Sequence, residues 1–426
     1  MTPFKLNNNL SKITTRQAET NATVTASVRE ILNDIRTNGD TALKQYIQKF
    51  DGYTGASLLA SPEEIAAGVH AAGSDFIRIL QRAAQQIRAY HANQVEKSWS
   101  MHQANGVVLG QLVRPLARVA LYVPGGTAAY PSTVLMNAIP AQLAGVKDIA
   151  IFTPVKADGK VPDVILAAAA CCGIDTVYKI GGAQAVAAAA YGTETIAKVD
   201  KIVGPGNIYV ATAKQLVYGV VDIDMIAGPS EILIIADETA NPKYVAADML
   251  SQAEHDEMAS AILVTTSQKV IDETEKELTR QLGYLQRKDI AEKSLTNYGA
   301  AVLVDSLEAA FAISNNIAPE HLEILTDNPL EKLPYITNAG SIFLGENTPE
   351  PLGDYMSGTN HVLPTGGTAK FSSPLGVYDF VKYSAYSYYP RKALAAFADD
   401  VAQFAELEGL DAHANAVKVR FEDGTV

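Results

Sequence analysis

Short polar segments carry the side chains of this sequence that could do chemistry. In DMLSQAEHDE, Gln252 and His255 are three residues apart, so on a helix both side chains project from one face and could bind one ion. In APEHLEIL, Glu320 and His321 precede an apolar run that is typical of a strand. A carboxylate beside an imidazole indicates proton transfer at the edge of a sheet, or an ordinary surface pair.

Two further segments hold metal-ligand types. In GDYMSGTNHVLPT, Asp354 offers a hard oxygen and His361 an imidazole. This loop is polar enough that we expect bound ligands, rather than its own core contacts, to hold it in place. Near the C-terminus, EGLDAHANAV gathers Glu408, Asp411 and His413. Histidine, aspartate and glutamine ligands together suit a borderline divalent ion such as zinc, but spacing alone leaves open whether they converge.

Two glycine-rich turns, YVPGG and VGPGN, each follow a β-branched run and precede a helical pattern. Such turns let backbone N–H groups and a helix N-terminus face a phosphate or another anion. Neither turn has the G-x-G-x-x-G spacing of dinucleotide-binding proteins. The pattern is therefore compatible with nucleotide binding and equally with ordinary tight turns.

The elements that position these residues follow from the hydrophobic pattern. From about residue 115, short apolar runs such as RVALYVP, DIAIFTP, ILIIAD and AILVTTS alternate with helical patterns, which indicates parallel sheets with crossover helices. The runs lack period-two alternation, as expected for strands covered on both faces, and are too many for one open sheet. We predict an α/β fold with two Rossmann-like parallel-sheet domains and additional N- and C-terminal helical segments.

Bulk composition narrows the class of partner. The 426 residues, 48% hydrophobic and 19% charged, are enough for at least two folded cores. A net charge of -13 argues against affinity for nucleic acid or anionic membranes and favours a small molecule. The opening MTPFKLNNNL does not resemble a secretion signal, and no apolar run approaches bilayer length, so we expect a soluble, cytoplasmic protein.

The two cysteines, Cys171 and Cys172, are adjacent in the apolar stretch VILAAAACCGI. This arrangement excludes a framework of disulfides. No cationic residue lies beside them in sequence to stabilise a thiolate, so we interpret them as buried helix residues rather than reactive thiols.

With these residues assembled, the sequence resembles the histidinol dehydrogenase family over nearly its whole length. The shared motifs follow one another in the family's order: YVPGG, GGAQAVAA, VDKIVGPGN, AGPSEILIIAD, LSQAEH, APEHL, GDYMSGTNHVLPT and GLDAHANAV. The resemblance implies an NAD-dependent four-electron oxidation of L-histidinol to L-histidine via L-histidinaldehyde, the last step of histidine biosynthesis. It also implies one Zn²⁺ per subunit and a homodimer.

The same resemblance implies roles for individual residues. The zinc ligands would be Gln252, His255, Asp354 and His413. The proton-transfer pair would be Glu320 and His321, and the NAD site would be lined by Tyr122, Gln184 and Asn207. The substrate site would be formed by Ser230, Gln252, His255, His321, Asp354, Glu408 and His413. The C-terminal segment with Glu408 and His413 would come from the neighbouring subunit.

Four regions are expected on this basis. Residues 1–110 form a helical segment that packs on the first α/β domain, and residues 111–235 form that NAD-binding domain. Residues 236–370 form a second α/β domain with the metal and catalytic residues. Residues 371–426 form a helical tail that contributes to the partner's site.

Two other functions share some of these features. A zinc hydrolase would use Glu320 to activate a metal-bound water, with the glycine turns binding only an anion. A solute-binding protein would hold its ligand between two α/β lobes, but such proteins are usually exported. If the chain is a dehydrogenase, His321 suits removal of the alcohol proton, and Glu320 suits activation of water for the aldehyde step.

Overall fold

The computed structural model describes residues 4–8, 10, 22–125 and 129–422. Its chain contacts divide it into two units. The first unit consists of Met1–Gln94 and Leu116–Phe380, and the second of Val95–Pro115 and Val381–Val426. The last glycine of the YVPGG motif, Gly126, lies outside the described residues.

The described residues form thirteen strands and fourteen α-helices. The strands are β1 (Trp99–His102), β2 (Val108–Pro115), β3 (Arg118–Tyr122), β4 (Asp148–Phe152), β5 (Val177–Tyr178), β6 (Lys201–Val203), β7 (Asp222–Ile223), β8 (Glu231–Ala236), β9 (Ser260–Thr265), β10 (Gly299–Leu303), β11 (His321–Leu325), β12 (Ser341–Leu344) and β13 (Val381–Tyr388). The helices are α1 (Ala22–Asp51), α2 (Pro62–His91), α3 (Pro131–Ala144), α4 (Asp163–Cys171), α5 (Gly182–Tyr191), α6 (Ile208–Val217), α7 (Pro242–Ala253), α8 (Gln268–Leu282), α9 (Lys288–Tyr298), α10 (Leu307–Ile317), α11 (Glu350–Tyr355), α12 (Arg391–Ala395), α13 (Ala398–Leu407) and α14 (Asp411–Lys418).

The first unit contains two five-stranded parallel sheets with the same strand order. The first sheet runs β5-β4-β3-β6-β7 and the second runs β10-β9-β8-β11-β12. In each sheet, the central strand comes first in the chain. The next two strands add to one side of it, and the last two strands add to the other side. The order reverses between β3 and β6 and between β8 and β11, which are the topological switch points where doubly wound folds bind ligands.

Helices cover both faces of the first sheet. Along β3, Val119 and Leu121 pack in one cluster with residues of α2, while Ala120 and Tyr122 pack on the opposite face with residues of α1. This split follows from the alternation of side chains along a strand. The second sheet is buried in the same way, since all six residues of β8 and all six of β9 are buried. The continuous apolar runs in the sequence therefore reflect two-sided burial.

The second unit contains an antiparallel sheet that the sequence analysis did not predict. Its order is β1-β2-β13, and β13 pairs with β2 from Val381 opposite Pro115 to Tyr388 opposite Val108. The tyrosine-rich stretch VKYSAYSYYP supplies strand β13. The unit's helices α13 and α14 enclose a small cluster of alanines, Ala402, Ala405 and Ala414.

The predicted α/β fold, with two Rossmann-like parallel sheets and additional N- and C-terminal helices, is confirmed. The four region boundaries stay predictions. Within the described ranges, no helix is both long enough and apolar enough to cross a membrane.

Candidate active site

The amino ends of β8 and β11 place Glu320 and His321. The strand predicted after Glu320 and His321 is confirmed, because β11 begins at His321. The Glu231 N–H donates to Glu320 Oε2 at 2.9 Å, and His321 Nδ1 lies 2.9 Å from the Glu231 carbonyl oxygen. Both side chains are thus fixed to the backbone of the first residue of β8.

These contacts determine the tautomer of His321. A carbonyl oxygen can only accept, so Nδ1 carries the hydrogen and Nε2 keeps its lone pair. His321 Nε2 is buried and has no hydrogen-bond partner among the described residues. Burial lowers the pKa of His321, although the neighbouring Glu350 carboxyl acts in the opposite direction. His321 is therefore a neutral imidazole whose basic nitrogen is oriented and available.

Glu320 is a buried carboxyl group. Burial raises the pKa of Glu320 well above its usual range, partly offset by its hydrogen bond from the Glu231 N–H. A carboxyl group with a raised pKa is a stronger base once it is ionised, as general-base catalysis near neutral pH requires.

The end of α7 supplies Gln252 and His255. The helix ends at Ala253, so the prediction that both residues lie on one helical face is wrong for His255, which lies in the turn beyond the helix. The His255 N–H donates to the Gln252 carbonyl oxygen at 3.1 Å. Gln252 is fully buried, and neither its Oε1 nor its Nε2 has a hydrogen-bond partner within the described part of the chain. A buried amide without hydrogen-bond partners destabilises the fold unless a bound ligand supplies those partners.

Asp354 lies in the short helix α11 rather than in an irregular loop. Burial and the nearby Glu350 carboxyl together raise the pKa of Asp354 to about 8. His361 Nδ1 is 3.7 Å from Asp354 Oδ1. Burial and the neighbouring His321 lower the pKa of His361 to about 4. This cluster of buried carboxyl groups suits a cation, because a positive charge among them would lower the raised carboxyl pKa values.

The rest of this segment is anchored by the protein itself. Val362 and Leu363 are buried, and Asn360 Nδ2 donates to the Met136 carbonyl oxygen at 2.8 Å. The backbone at Gly358 approaches Gln86 so closely that an added Cβ would lie 2.5 Å from the Gln86 carbonyl oxygen. The expectation that ligands alone hold this segment is therefore wrong, since core contacts fix it as well.

Sequence reasoning missed Glu350, which is buried among the predicted residues. Its Oε1 lies 3.7 Å from His321 Nε2, and one ligand atom each from His321, Glu350 and Asp354 all lie within 4.8 Å of one another. A signal was present in the sequence, because Glu350 and Asp354 are four residues apart and so share one face of α11.

Of these groups, all but Glu350 line one cavity of about 650 Å³, which we call the acidic cavity. Its lining includes seven residues singled out from sequence: Ser230, Gln252, His255, Glu320, His321, Asp354 and His361. The structure brings these residues together, and their individual roles stay predictions.

A second cavity of about 1000 Å³, the aromatic cavity, is lined by Tyr46, Phe50, Tyr122 and Tyr209 and also by Gln184 and Asn207. It thus contains all three residues expected at an NAD site. Tyr122 Oη accepts the Gly182 N–H at 3.0 Å, and Gln184 Nε2 lies 3.5 Å from Asp51 Oδ2. Asn207 caps α6 by accepting the backbone N–H groups of Tyr209 and Val210.

The two glycine turns border both cavities. In the turn after β6, Gly204, Pro205 and Gly206 line the acidic cavity and Asn207 lines the aromatic cavity. In the turn after β3, Pro124 lines the acidic cavity and Gly125 the aromatic one. Both turns lie at the carboxyl edge of the first sheet, at its switch point. An elongated ligand crossing them would reach both cavities.

Glu408 and His413 lie in the second unit. Glu408 directly follows α13, and His413 is in α14; both are exposed. Neither is among the described residues that line the acidic cavity.

Comparison with known proteins agrees with this arrangement. The family model for histidinol dehydrogenase matches residues 14–421. The chain is 61% identical over 421 residues to histidinol dehydrogenase of Lactococcus lactis, covering 98% of each chain, and 56% identical over 407 residues to that of Clostridium acetobutylicum, covering 96% of this chain and 94% of that one. The crystal structure of histidinol dehydrogenase from Elizabethkingia anophelis superposes with a TM-score of 0.92 at 40% identity, covering 98% of both chains. A profile match and full-length relatives of this similarity show that the chain belongs to the histidinol dehydrogenase family.

Proposed function

We propose that this protein oxidises L-histidinol to L-histidine through L-histidinaldehyde in two NAD-dependent steps, as the last step of histidine biosynthesis. The observation that carries the proposal is the position of the Glu320–His321 pair in the acidic cavity, whose lining shares the two glycine turns with that of the aromatic cavity. The hydride acceptor must reach the carbinol carbon and the proton acceptor its hydroxyl group, and this arrangement supports both. The hydrolase alternative is not favoured by the named relatives.

The aromatic cavity and the turns would hold NAD. Tyr122, Gln184 and Asn207 line the cavity, and the N-terminus of α6 follows the 204–207 turn, where a phosphate is favoured. NAD, when bound, would accept a hydride in each oxidation.

Zinc fits the acidic cavity. Gln252 has an amide without a partner in the described chain, and Asp354 and His255 line the same cavity. Nitrogen and oxygen donors of this kind are zinc ligands. We propose Gln252, His255 and Asp354 of one subunit, with His413 of a second copy, as the ligands. Zinc, when bound, would orient the nitrogens of the substrate and polarise its oxygen.

In the first oxidation, His321 Nε2 would take the proton of the substrate hydroxyl as the carbinol carbon loses its hydride. The hydrogen bond from Nδ1 to the Glu231 carbonyl oxygen keeps Nε2 unprotonated before the reaction and holds the ring in place. The products of this step are the aldehyde, one reduced cofactor and one proton.

In the second oxidation, Glu320 would remove a proton from water as the oxygen adds to the aldehyde carbon. The resulting hydrate anion would give its hydride to a second NAD and become the carboxylic acid. A thiohemiacetal is the other conceivable adduct, but Cys172 is buried in the first sheet's core and burial raises its pKa to about 12. Burial also raises the pKa of Cys171, and neither thiol lines the acidic cavity.

A homodimer would complete the substrate site. Ser230 lines the acidic cavity, whereas Glu408 and His413 would reach it from the partner subunit. Helix α13 exposes large apolar side chains, since Phe404 is 66% exposed and Leu407 82% exposed. Such a surface supports the proposal that a second subunit covers it. The cytoplasmic location expected from the sequence stays a prediction.

Stoichiometry tests the proposed function directly. The purified protein, loaded with zinc, is incubated with L-histidinol and excess NAD, and NADH absorbance and amino-acid product are both measured. We expect two NADH and one histidine for each histidinol consumed, with no aldehyde accumulating in solution. Product formed without NADH would contradict the proposal.

A further inference from the structure

A buried ion pair lies at the point where the chain leaves the last strand of the first sheet and leads to the second sheet. Lys214 in α6 and Asp224 directly after β7 pair through Nζ and Oδ1, and their side chains are only 2% and 1% exposed. Lys214 Nζ also donates to the Gly204 carbonyl oxygen at 2.8 Å, and the Gly204 N–H donates to Asp224 Oδ2 at 2.7 Å. The pair therefore occupies both backbone polar groups of Gly204.

Gly204 also packs closely against the end of β3. Its φ is +109°, and an added Cβ would lie 2.1 Å from the Tyr122 carbonyl oxygen. Gly204 is thus packed against the end of β3 on one side and fixed by the ion pair on the other. It is also the first residue of the 204–207 turn that borders both cavities.

The segment from Asp224 to Ser230 connects the last strand of the first sheet to the first strand of the second. Asp224 Oδ1 accepts the Met225 N–H at 2.7 Å, which fixes the start of this connection. Its middle is fixed by the Gly228 N–H, which donates to Thr365 Oγ1 at 2.6 Å. Its end leads into Glu231, whose backbone groups contact Glu320 and His321.

We propose that Lys214 and Asp224 are positioning residues that set the distance between the cofactor turn and the proton-transfer pair. The inference rests on the proposed function and adds residues to it. One ion pair fixes both the turn over which the cofactor passes and the first residue of the connection that leads to Glu231. Loss of the pair would let these two parts of the site shift relative to each other. A misplacement of about 1 Å costs roughly 100-fold in rate, so even a small shift is measurable.

The opposite edge of the same sheet offers a matched control. Lys201, the first residue of β6, is buried and lies 3.0 Å from Asp222 Oδ2 and 3.6 Å from Asp379 Oδ1. Lys201→Met also removes a buried cation, one that pairs with Asp222 of β7, and Lys201 lies outside the described lining of either cavity. A purely structural role for Lys214 predicts that the two substitutions act alike.

The experiment compares Lys214→Met, Lys214→Arg and Lys201→Met in the zinc-loaded, full-length enzyme. The readouts are kcat, the deuterium kinetic isotope effect with histidinol labelled at the carbinol carbon, and Tm. For Lys214→Met we expect kcat to fall by about 10- to 100-fold and the isotope effect to rise above that of the unmodified enzyme, because misalignment slows hydride transfer itself. Lys214→Arg should recover part of kcat, and Lys201→Met should lower Tm while kcat changes less than about twofold.

Unchanged kcat and isotope effect in Lys214→Met would overturn the inference, as would the same kinetic changes in Lys201→Met. If Lys214→Met does not fold, Asp224→Asn is measured instead, with the same rise in isotope effect expected and its absence counting against the inference. An unmodified enzyme that forms no NADH from histidinol would overturn the proposed function itself, which separates the two failures.

Discussion

The two parallel sheets of the first unit have the same strand order but contribute opposite edges to the candidate site. The first sheet contributes its carboxyl edge, through the turns after β3 and β6. The second contributes the amino ends of β8 and β11, where Ser230, Glu320 and His321 lie. The general rule that open α/β sheets bind ligands at carboxyl ends therefore describes only one of the two sheets.

Helix polarity gives a physical reason for this difference. The carboxyl edge of the first sheet faces the N-terminus of α6, which favours an anion such as a pyrophosphate. At the amino edge of the second sheet, the C-terminal end of α7 brings Gln252 to the acidic cavity. The C-terminal end of a helix favours a cation. Opposite edges thus suit opposite charges, as expected if an anionic cofactor and a divalent metal bind side by side.

The largest expected effects come from Glu320 and His321, the proposed proton-transfer pair at the amino edge. His321→Asn should lower the rate of alcohol oxidation by about 10²- to 10⁴-fold, since a positioned general base contributes this much. Glu320→Gln should act mainly on conversion of the aldehyde to the acid. Rapid-quench measurements started from histidinol and from histidinaldehyde separate the two steps. Equal losses in both steps for both variants would remove the division of roles.

Gln252 and Gln184 test the two edges with the same chemical change. Gln252→Leu should lower zinc affinity by at least about 100-fold, given that loss of even an outer-shell partner costs 10- to 100-fold. It should also stabilise the metal-free protein by about 1 kcal/mol, because it removes a buried amide without partners. Zinc content and the free energy of unfolding are measured for each variant.

Gln184→Leu is the control at the carboxyl edge. It removes the 3.5 Å contact with Asp51 in the aromatic cavity. The variant should retain its zinc and raise the KM for NAD about tenfold, equivalent to about 1.4 kcal/mol. Zinc loss in this variant would show that the two edges do not act separately.

Two glycines, one at each sheet edge, pack closely against a backbone carbonyl group and extend the comparison. An added Cβ would lie 2.1 Å from the Tyr122 carbonyl oxygen at Gly204 and 2.5 Å from the Glu320 carbonyl oxygen at Gly340. Gly204→Ala should raise the KM for NAD about tenfold, whereas Gly340→Ala should lower kcat about tenfold with little change in that KM. Each should also cost about 1–3 kcal/mol of stability through overpacking. Steady-state kinetics with varied NAD decide between these outcomes, and a reversed pattern would contradict the assignment of the edges.

The smallest expected effect concerns Asp51 in the aromatic cavity. Burial raises the pKa of Asp51 from an ordinary value of 3.8 to about 6, partly offset by its hydrogen bond from Gln184. The folded state therefore holds this proton more tightly than the unfolded chain, and stability falls as pH rises from about 4 to about 6. Asp51→Asn should stabilise the protein by about 1 kcal/mol at pH 8, a value reduced for partial exposure, and by nothing at pH 4. Urea unfolding at the two pH values measures this, and a stabilisation that persists at pH 4 would refute the interpretation.

Local pattern predicted much of the fold and part of the site. Apolar runs alternating with helical patterns indicate parallel sheets, because a strand buried on both faces has an apolar side chain at nearly every position. The same logic predicted a strand directly after Glu320 and His321, and β11 begins at His321. Which edges of the two sheets meet could not be derived, since it depends on how the connection 224–230 runs between them.

Other features depended on contacts between distant residues. The sheet formed by β1, β2 and β13 joins residues about 280 apart in sequence, so no local pattern marks the pairing. The position of Glu350 beside His321 could not be predicted from sequence, because it depends on how β12 and α11 fold back toward β11. The motif resemblance supplied the proposed zinc and cofactor residues, whereas spacing alone left their convergence open.

Anomalous scattering at the zinc edge, from crystals of the protein with zinc, NAD and histidinol, tests the joint site most directly. We expect a peak at about 2.0–2.2 Å from Gln252, His255 and Asp354, with the nicotinamide ring between the 204–207 turn and His321. Zinc bound elsewhere, or a cofactor that does not cross the glycine turns, would show that the two sheet edges do not form one active site.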